Sequence, residues 1–212
     1  MKIHRPLGLI LLAALSACGK DPKASADKAR AEFAAHQYVA AQADLGVALA
    51  AFPDDPALLE LHARNALMLG DGVAAGASLQ KLPTAKRPAD FVELVAEAAL
   101  LRDKPDEALA TLGPDASSAA QRLRGLALLA KEDRAGAQAA FDAGLKANPA
   151  DARLLAAAAK LKLMEGDAQA ARALSDRALA ADGGALDAMI ADALVSTAEG
   201  DLGRALASYD KA

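Results

Sequence analysis

A period of 34 residues constrains this chain more than any other feature of its sequence. Acidic turn dipeptides recur at that interval, at Glu132-Asp133, Gly166-Asp167 and Gly200-Asp201. An alanine recurs in the same register once per unit, and one unit is about five residues shorter than the others. Self-similarity at a fixed interval of this size is typical of proteins built from stacked structural repeats. The recurring alanines are Ala41, Ala75, Ala108, Ala137, Ala171 and Ala205.

The composition indicates that these repeats are helical. Hydrophobic residues make up 54% of the chain, but only 3% of the residues are aromatic. Alanine and leucine supply most of the apolar content, and both favour helix. β-branched residues are scarce, so we predict an all-α fold without a sheet. A single cysteine excludes an internal disulfide framework.

A 34-residue period with two helical segments per unit resembles the tetratricopeptide repeat (TPR). In the unit that matches best, Gly125 would let the paired helices approach, and Ala137 would keep their crossing tight. Phe141 would fill the gap towards the next unit. The tryptophan usual in the first helix is absent, and Gln121 and Leu155 stand in its place. The resemblance implies an α-solenoid, a right-handed superhelix of antiparallel helix pairs whose first helices line a concave groove. The rival structure is an irregular Ala/Leu-rich helical bundle.

The register divides residues 22–212 into about six TPR-like units. The last unit is incomplete, because Ala212 aligns with Ala178 and no polar closing helix follows. Terminal units of a solenoid need such a helix to cover the last apolar face. We therefore expect either that the protein continues beyond residue 212 or that an open end pairs with another subunit. The predicted units are 22–55, 56–88, 89–117, 118–151, 152–185 and 186–212, and the residues expected at the open end are Leu194, Leu202, Leu206 and Tyr209.

Residues 1–17 are typical of a targeting signal. Lys2 and Arg5 give a positive start, and Leu7 to Leu15 form an apolar core that only Gly8 interrupts. Two small residues follow, as a signal peptidase requires. The apolar run is shorter than the roughly 20 residues that a membrane span needs. We predict that this segment is removed from the mature protein.

The segment Leu15-Ser16-Ala17-Cys18 resembles the bacterial lipoprotein signal. In that family, cleavage leaves the cysteine as the first residue, its thiol carries a diacylglycerol, and its amine carries a further acyl chain such as palmitate. Several acyl chains hold a protein on a membrane from which one chain would dissociate. The resemblance implies that Cys18 is lipidated and that residues 18–21 form a short linker. Gly19 implies export to the outer membrane, facing the periplasm, and the alternative is an ordinary secretory signal with a chance cysteine.

The charge and the motifs of the sequence argue against an enzyme and against a nucleic-acid-binding protein. The formal net charge is −4, whereas nucleic-acid binding depends on clustered Lys and Arg. His62 has no second histidine at metal-ligand spacing, so we expect no metal site. The recurring turn aspartates are predicted to stabilise the turns and not to bind ions. Asp54-Asp55 lies between two prolines, so we predict a loop and helix cap there and not a catalytic carboxylate pair. We expect no catalytic residues, no cofactor and no small-molecule substrate.

What remains is protein binding in the groove that the repeat implies. Charges of both signs occur at the positions expected to face it, although they could simply be solvated. The Lys/Asn/Arg set of chaperone-binding repeats, which grips a partner's terminal carboxylate, is not matched. The groove-facing candidates are Arg30, Glu60, Arg64, Glu93, Glu97, Arg122, Leu126, Lys160 and Ile190.

The sequence as a whole predicts a non-catalytic, membrane-anchored scaffold that holds protein partners in the periplasm or envelope. Among TPR lipoproteins, it most resembles those of exopolysaccharide and PEP-CTERM export systems. Two alternatives stay open. One is an outer-membrane assembly lipoprotein for a type IV pilus or secretin, and the other is an adaptor that docks cell-wall hydrolases.

Overall fold

The computed structural model describes residues 21–212, which form twelve α-helices and one short 3-10 turn. Consecutive helices pair, and each pair is called a unit below, with a first and a second helix. The first helices are α1 (Pro22–Ala34), α3 (Pro56–Met68), α5 (Phe91–Leu101), α7 (Ser118–Ala130), α9 (Ala152–Met164) and α11 (Leu186–Glu199). The second helices are α2 (Tyr38–Ala51), α4 (Gly72–Lys81), α6 (Pro105–Leu112), α8 (Arg134–Ala147), α10 (Ala168–Ala181) and α12 (Leu202–Lys211). The 3-10 turn, Thr84–Lys86, lies between α4 and α5.

Aspartates at the turns start most of the second helices. The side chains of Asp71, Asp133, Asp167 and Asp201 each accept a hydrogen bond from the backbone N–H three residues later, at 2.8 to 3.0 Å. Such a bond satisfies one of the N–H groups that have no partner in the first turn of a helix. Asp55 caps α3 in the same way. The turn and capping roles predicted for these aspartates are confirmed.

The turn inside each unit contains one residue in the left-handed backbone region. Glycine fills that place in three units, at Gly70, Gly166 and Gly200, with φ between 75° and 81°. His36 and Glu132 fill it elsewhere, and Asp103 does so in the third unit, with φ from 56° to 63°. The same backbone turn is therefore built six times, with glycine in only half of them.

The helix contacts are those of a solenoid. Within each unit the first and second helices pack together, and each second helix then packs on the first helix of the next unit. The first helices also contact one another in succession, from α1 to α11. They therefore form one layer of the stack and the second helices form the other. The prediction of an all-α solenoid is confirmed.

The recurring alanines pack where the two helices of a unit cross. All six are buried, and five of them are fully so. The best-matched unit shows how tight these crossings are, because a Cβ atom added to Gly125 would lie 2.1 Å from the ring of Phe141. That ring is itself fully buried and joins a core cluster with Leu154 and Leu161 of the next unit. Small residues thus let an alanine-rich chain form a continuous core.

One face of the last unit is uncovered in this structure. Tyr209 holds the register position of Leu45, Leu79 and Phe141, which are fully buried against the next first helix, yet Tyr209 is 47% exposed. Leu202, Leu206 and Leu194 are exposed as well.

The signal segment and Cys18 lie outside the described residues. Among residues 21–212, no helix is long and apolar enough to cross a membrane.

Candidate protein-binding groove

The predicted groove residues fall into two columns, one helical turn apart, along the layer of first helices. Members of a column share one register position, so the solenoid places them above one another from unit to unit. One column holds Arg30, Arg64, Glu97, Leu126 and Lys160, and the other holds Glu60, Glu93, Arg122 and Ile190.

Arg64 connects the second unit to the third. Its two terminal nitrogens donate to the two carboxylate oxygens of Asp90, each at 2.8 Å. Its Nε donates to Glu60 on the same helix, at 2.9 Å. The hydrogen bonds from Arg64 lower the pKa of Asp90 below its usual value. Arg64 and Glu60 thus belong to one bidentate ion-pair cluster, which also orients the start of α5.

A larger cluster joins the first helices of the third to sixth units. Glu97 on α5 accepts a hydrogen bond from Arg122 on α7 at 3.3 Å, and another from Arg153 on α9 at 2.7 Å. Arg153 also donates to Asp187 on α11 at 2.8 Å, and Lys160 lies 3.9 Å from the same carboxylate. The structure therefore brings together three predicted residues, Glu97, Arg122 and Lys160. The ion pair of Glu97 and Arg153 joins the third unit to the fifth, with the fourth unit between them.

Burial and charge oppose each other in this cluster. Burial by itself would lower the pKa of Arg153, but Glu97 and Asp187 outweigh it and raise that pKa. Burial would likewise raise the pKa of Asp187, but Arg153 and then Lys160 hold it below its usual value. Arg122 is only 6% exposed, and burial, reinforced by the charge of Arg153, lowers its pKa. The groove charges therefore act first on one another.

A concavity of about 620 Å³ opens beside this cluster. Charged groups from three first helices border it, namely Glu97, Arg153 and Asp187. Apolar groups border it too, from the end of α3 and the starts of α9 and α11: Leu67, Met68, Ala152, Ala185 and Leu186. Clefts that mix apolar surface with a few fixed polar groups are suited to binding a ligand with both kinds of surface. The arrangement can hold a protein segment.

Of the nine predicted residues, Glu97 lines this concavity and the other eight do not. Arg30 pairs with Asp27 on its own helix and lines a separate depression of about 290 Å³. Leu126 is half-buried and packs on the core between α8 and α9. Glu93 and Ile190 are half-buried on α5 and α11. Their roles in binding stay predictions.

Sequence reasoning missed Asp90, Arg153 and Asp187, which complete both clusters. All three occupy one register position, in the first turn of a first helix or just before it. The sequence did contain a signal. Arg64 and Asp90 have opposite charges one unit apart, and so do Lys160 and Asp187. Comparing charges between successive units would have found these pairs.

Within the part of the chain that the structure describes, no group of side chains is arranged as a metal site. No three His, Cys, Asp or Glu side chains of residues 21–212 converge as metal ligands would. Beside the concavity, Arg153 pairs with Glu97 and with Asp187. These ion pairs shift the pKa values of Arg153 and Asp187, whereas burial shifts that of Arg122.

Comparison with known proteins identifies the fold. No family model matches the chain, and no curated protein matches it. Among solved structures, TTC0263, a thermophilic TPR protein of Thermus thermophilus, is similar with a TM-score of 0.63 and 22% identity, over 80% of this chain and 96% of that one. The chain has the tetratricopeptide-repeat fold.

Two further solved structures share this fold over most of their length. PilW, a widely conserved type IV pilus biogenesis factor, has a TM-score of 0.57 and 16% identity, over 88% of this chain and 90% of that one. PilF of Pseudomonas aeruginosa has a TM-score of 0.53 and 17% identity, over 88% of each chain. At these identities the likeness concerns the fold alone.

Proposed function

We propose that this TPR protein is a non-catalytic scaffold that binds a segment of a partner protein in its concave groove. The observation that carries the proposal is the 620 Å³ concavity, in which apolar groups from α3, α9 and α11 adjoin the ion-pair cluster around Arg153. Interfaces between proteins combine an apolar centre with a polar rim in this way. A partner segment would lie against Met68 and Leu186 and have its polar groups beside Glu97 and Asp187.

Photo-crosslinking from matched methionine positions tests this proposal. Met68 ends α3 and lines the concavity. Met164 ends α9 at the same register position and is 56% exposed, but it lies outside that concavity. A benzophenone amino acid at position 68 should crosslink the partner in cells, and the same group at position 164 should not. Equal crosslinking from both positions would rule out the groove as the binding site.

Charge reversal is a poorer test, because the groove arginines hold the solenoid together. Arg64 links α3 to α5, and Arg122 is buried against Glu97. Reversing either charge would leave a carboxylate against another carboxylate, and the loss of binding could then follow from a loss of folding. Crosslinking leaves both clusters intact.

We propose further that the scaffold is anchored to the outer membrane through lipid on Cys18 and faces the periplasm. The proposal rests on the order of positive start, apolar core, small residues and cysteine in residues 1–18. Labelling with an alkyne fatty acid should mark the wild-type protein and leave the Cys18→Ala variant unmarked. Equal labelling of the two would end the lipoprotein interpretation.

The cellular process in which the scaffold acts is proposed from its resemblance to other proteins. An acylated start followed directly by Ala/Leu-rich repeats resembles lipoproteins of exopolysaccharide and PEP-CTERM export. The likeness to PilW, a type IV pilus biogenesis factor, makes type IV pilus or secretin assembly the second candidate. An adaptor for cell-wall hydrolases is the third. The protein crosslinked from position 68 decides among them, because the three processes use different proteins.

A further inference from the structure

A glycine in the second unit leaves a cleft between α4 and α5. Gly76 holds the register position of Gln42, Leu109 and Arg172. Each of those side chains reaches the next first helix: Gln42 accepts a hydrogen bond from α3, Leu109 packs on the core shared with α7, and Arg172 donates to α11. Gly76 has no side chain to fill the same space. A Cβ atom placed there would have only one atom of the neighbouring structure within 4 Å, the Nε of Arg102 at 4.0 Å.

The cleft that results is apolar inside. It has a volume of about 250 Å³, and Leu79, Phe91, Val95 and Ala98 line its interior. A second depression of about 220 Å³ continues from it along α4, past Val73, which is 70% exposed. One water molecule takes up about 30 Å³ in the liquid. The cleft therefore has room for a large apolar side chain.

The polar residues that line the cleft are Gln80, Arg87, Arg102 and Glu107. The two arginines differ in their pairing. Arg102 donates to Glu107 at 2.6 Å and to the carbonyl oxygen of Ala98 at 3.2 Å. Arg87 lies with its guanidinium 4.3 Å from the ring centre of Phe91. Among the described residues, Arg87 has no carboxylate partner. The Arg87 end therefore carries an uncompensated positive charge next to an apolar surface.

We propose that this cleft is a second docking site, which binds a protein segment presenting a large apolar side chain next to a carboxylate. The apolar side chain would lie over Leu79 and Val95, and the carboxylate would pair with Arg87. Glu107 also lines the cleft, but it is paired with Arg102, so Arg87 leaves one positive charge in excess. Charge complementarity therefore favours an acidic segment. This site lies between α4 and α5 and is separate from the concave groove, so it does not depend on the function proposed for that groove.

A pair of short peptides tests the proposed chemistry. The full chain in detergent micelles is titrated with N-acetyl-Ala-Leu-Asp-Ala-amide, and backbone amide resonances are followed by NMR. The Gly76 amide should shift saturably, together with amides of α5 that border the cleft. The lysine counterpart, N-acetyl-Ala-Leu-Lys-Ala-amide, should bind about two- to fivefold more weakly, as expected for one exposed ion pair.

Two substitutions with matched controls make the test specific. Gly76→Leu should fill the cleft and abolish the shifts, whereas Gly46→Leu, at a helix position with open space around it, should not. Arg87→Glu should reverse the preference towards the lysine peptide, whereas Arg134→Glu, which makes the same charge change on α8, should preserve it. Unchanged binding in Gly76→Leu and Arg87→Glu, or the absence of saturable shifts in the wild type, would show that the cleft is only a packing gap. Crosslinking from position 68 should not change in any variant.

Discussion

At the residue scale, His62 is held as a neutral ring between two units. Asn65 donates to the Oε1 of Gln42 at 2.9 Å, which leaves the Nε2 of Gln42 to donate to the Nε2 of His62 at 3.1 Å. The other ring nitrogen, Nδ1, then donates to the hydroxyl of Ser78 at 2.8 Å. A protonated ring would place an N–H against the N–H of Gln42. Burial, the main cause, lowers the pKa of His62.

We therefore expect the folded state to become less stable in mild acid because of His62. The unfolded chain binds a proton at the ordinary histidine pKa of about 6.5, and the folded chain binds it only at lower pH. Stability from this residue is complete above that pKa and declines as the pH falls below it. Urea melts between about pH 7.5 and 5.5 should show this loss in the wild type and in His36→Gln, but a smaller loss in His62→Gln. Equal pH dependence in all three proteins would contradict the prediction.

Glu132 stores a small amount of backbone strain that glycine would relieve. Its φ is 63°, in a place that Gly70, Gly166 and Gly200 fill in other units. A residue with a Cβ costs about 1–2 kcal/mol in this region. Glu132→Gly should therefore raise the free energy of unfolding by about 1 kcal/mol after the greater freedom of glycine in the unfolded chain is counted. The reverse change, Gly166→Glu, should lower it by a similar amount. A loss of stability in Glu132→Gly, or no loss in Gly166→Glu, would show that the two turns are not equivalent.

At the scale of helix pairs, the buried alanine column fixes how closely two helices approach. Ala171 has no exposed surface at the crossing of α9 and α10. Ala171→Leu should lower the free energy of unfolding by about 1–3 kcal/mol, because the added atoms have no space to occupy. Lys146→Gln, an exposed change on α8, should cost less than about 0.5 kcal/mol. Denaturant melts with equal losses for both variants would show that the register is wrong.

At the scale of the whole molecule, one ion-pair chain joins three first helices across the groove. Arg153 on α9 connects Glu97 on α5 to Asp187 on α11. Arg153→Gln should cost about 1 kcal/mol or less, since the side chain is 46% exposed and solvent screens it. Its local effect should be clearer: faster hydrogen exchange in α5 and at the start of α11, with unchanged helix content.

Arg134→Gln is the control for that change, because Arg134 is exposed and belongs to neither groove cluster. High salt should reduce the difference between wild type and Arg153→Gln, because it screens partly exposed ion pairs. Hydrogen exchange that is identical in the two variants would mean that the chain of ion pairs does not stabilise α5 and the start of α11.

Local sequence was enough to predict the helical repeat. The 34-residue period can be read directly from the sequence, and the turn aspartates and buried alanines act within one unit, where short-range geometry decides the structure. Asp167 caps α10 and Ala171 packs in the same helix, four residues later. A residue four places away on a helix always lies on the same side, so the sequence alone gives that relation.

Only the tertiary structure decided which units meet across the groove and where a cleft opens. Glu97 reaches Arg153, two units away, and this contact depends on how the helices of three successive units are placed relative to one another. Gly76 leaves a gap because the first helix of the next unit lies beside it while the side chain that bridges this position in three other units is missing. Both features depend on the relative placement of helices from different units, and that placement follows from packing summed over the whole stack.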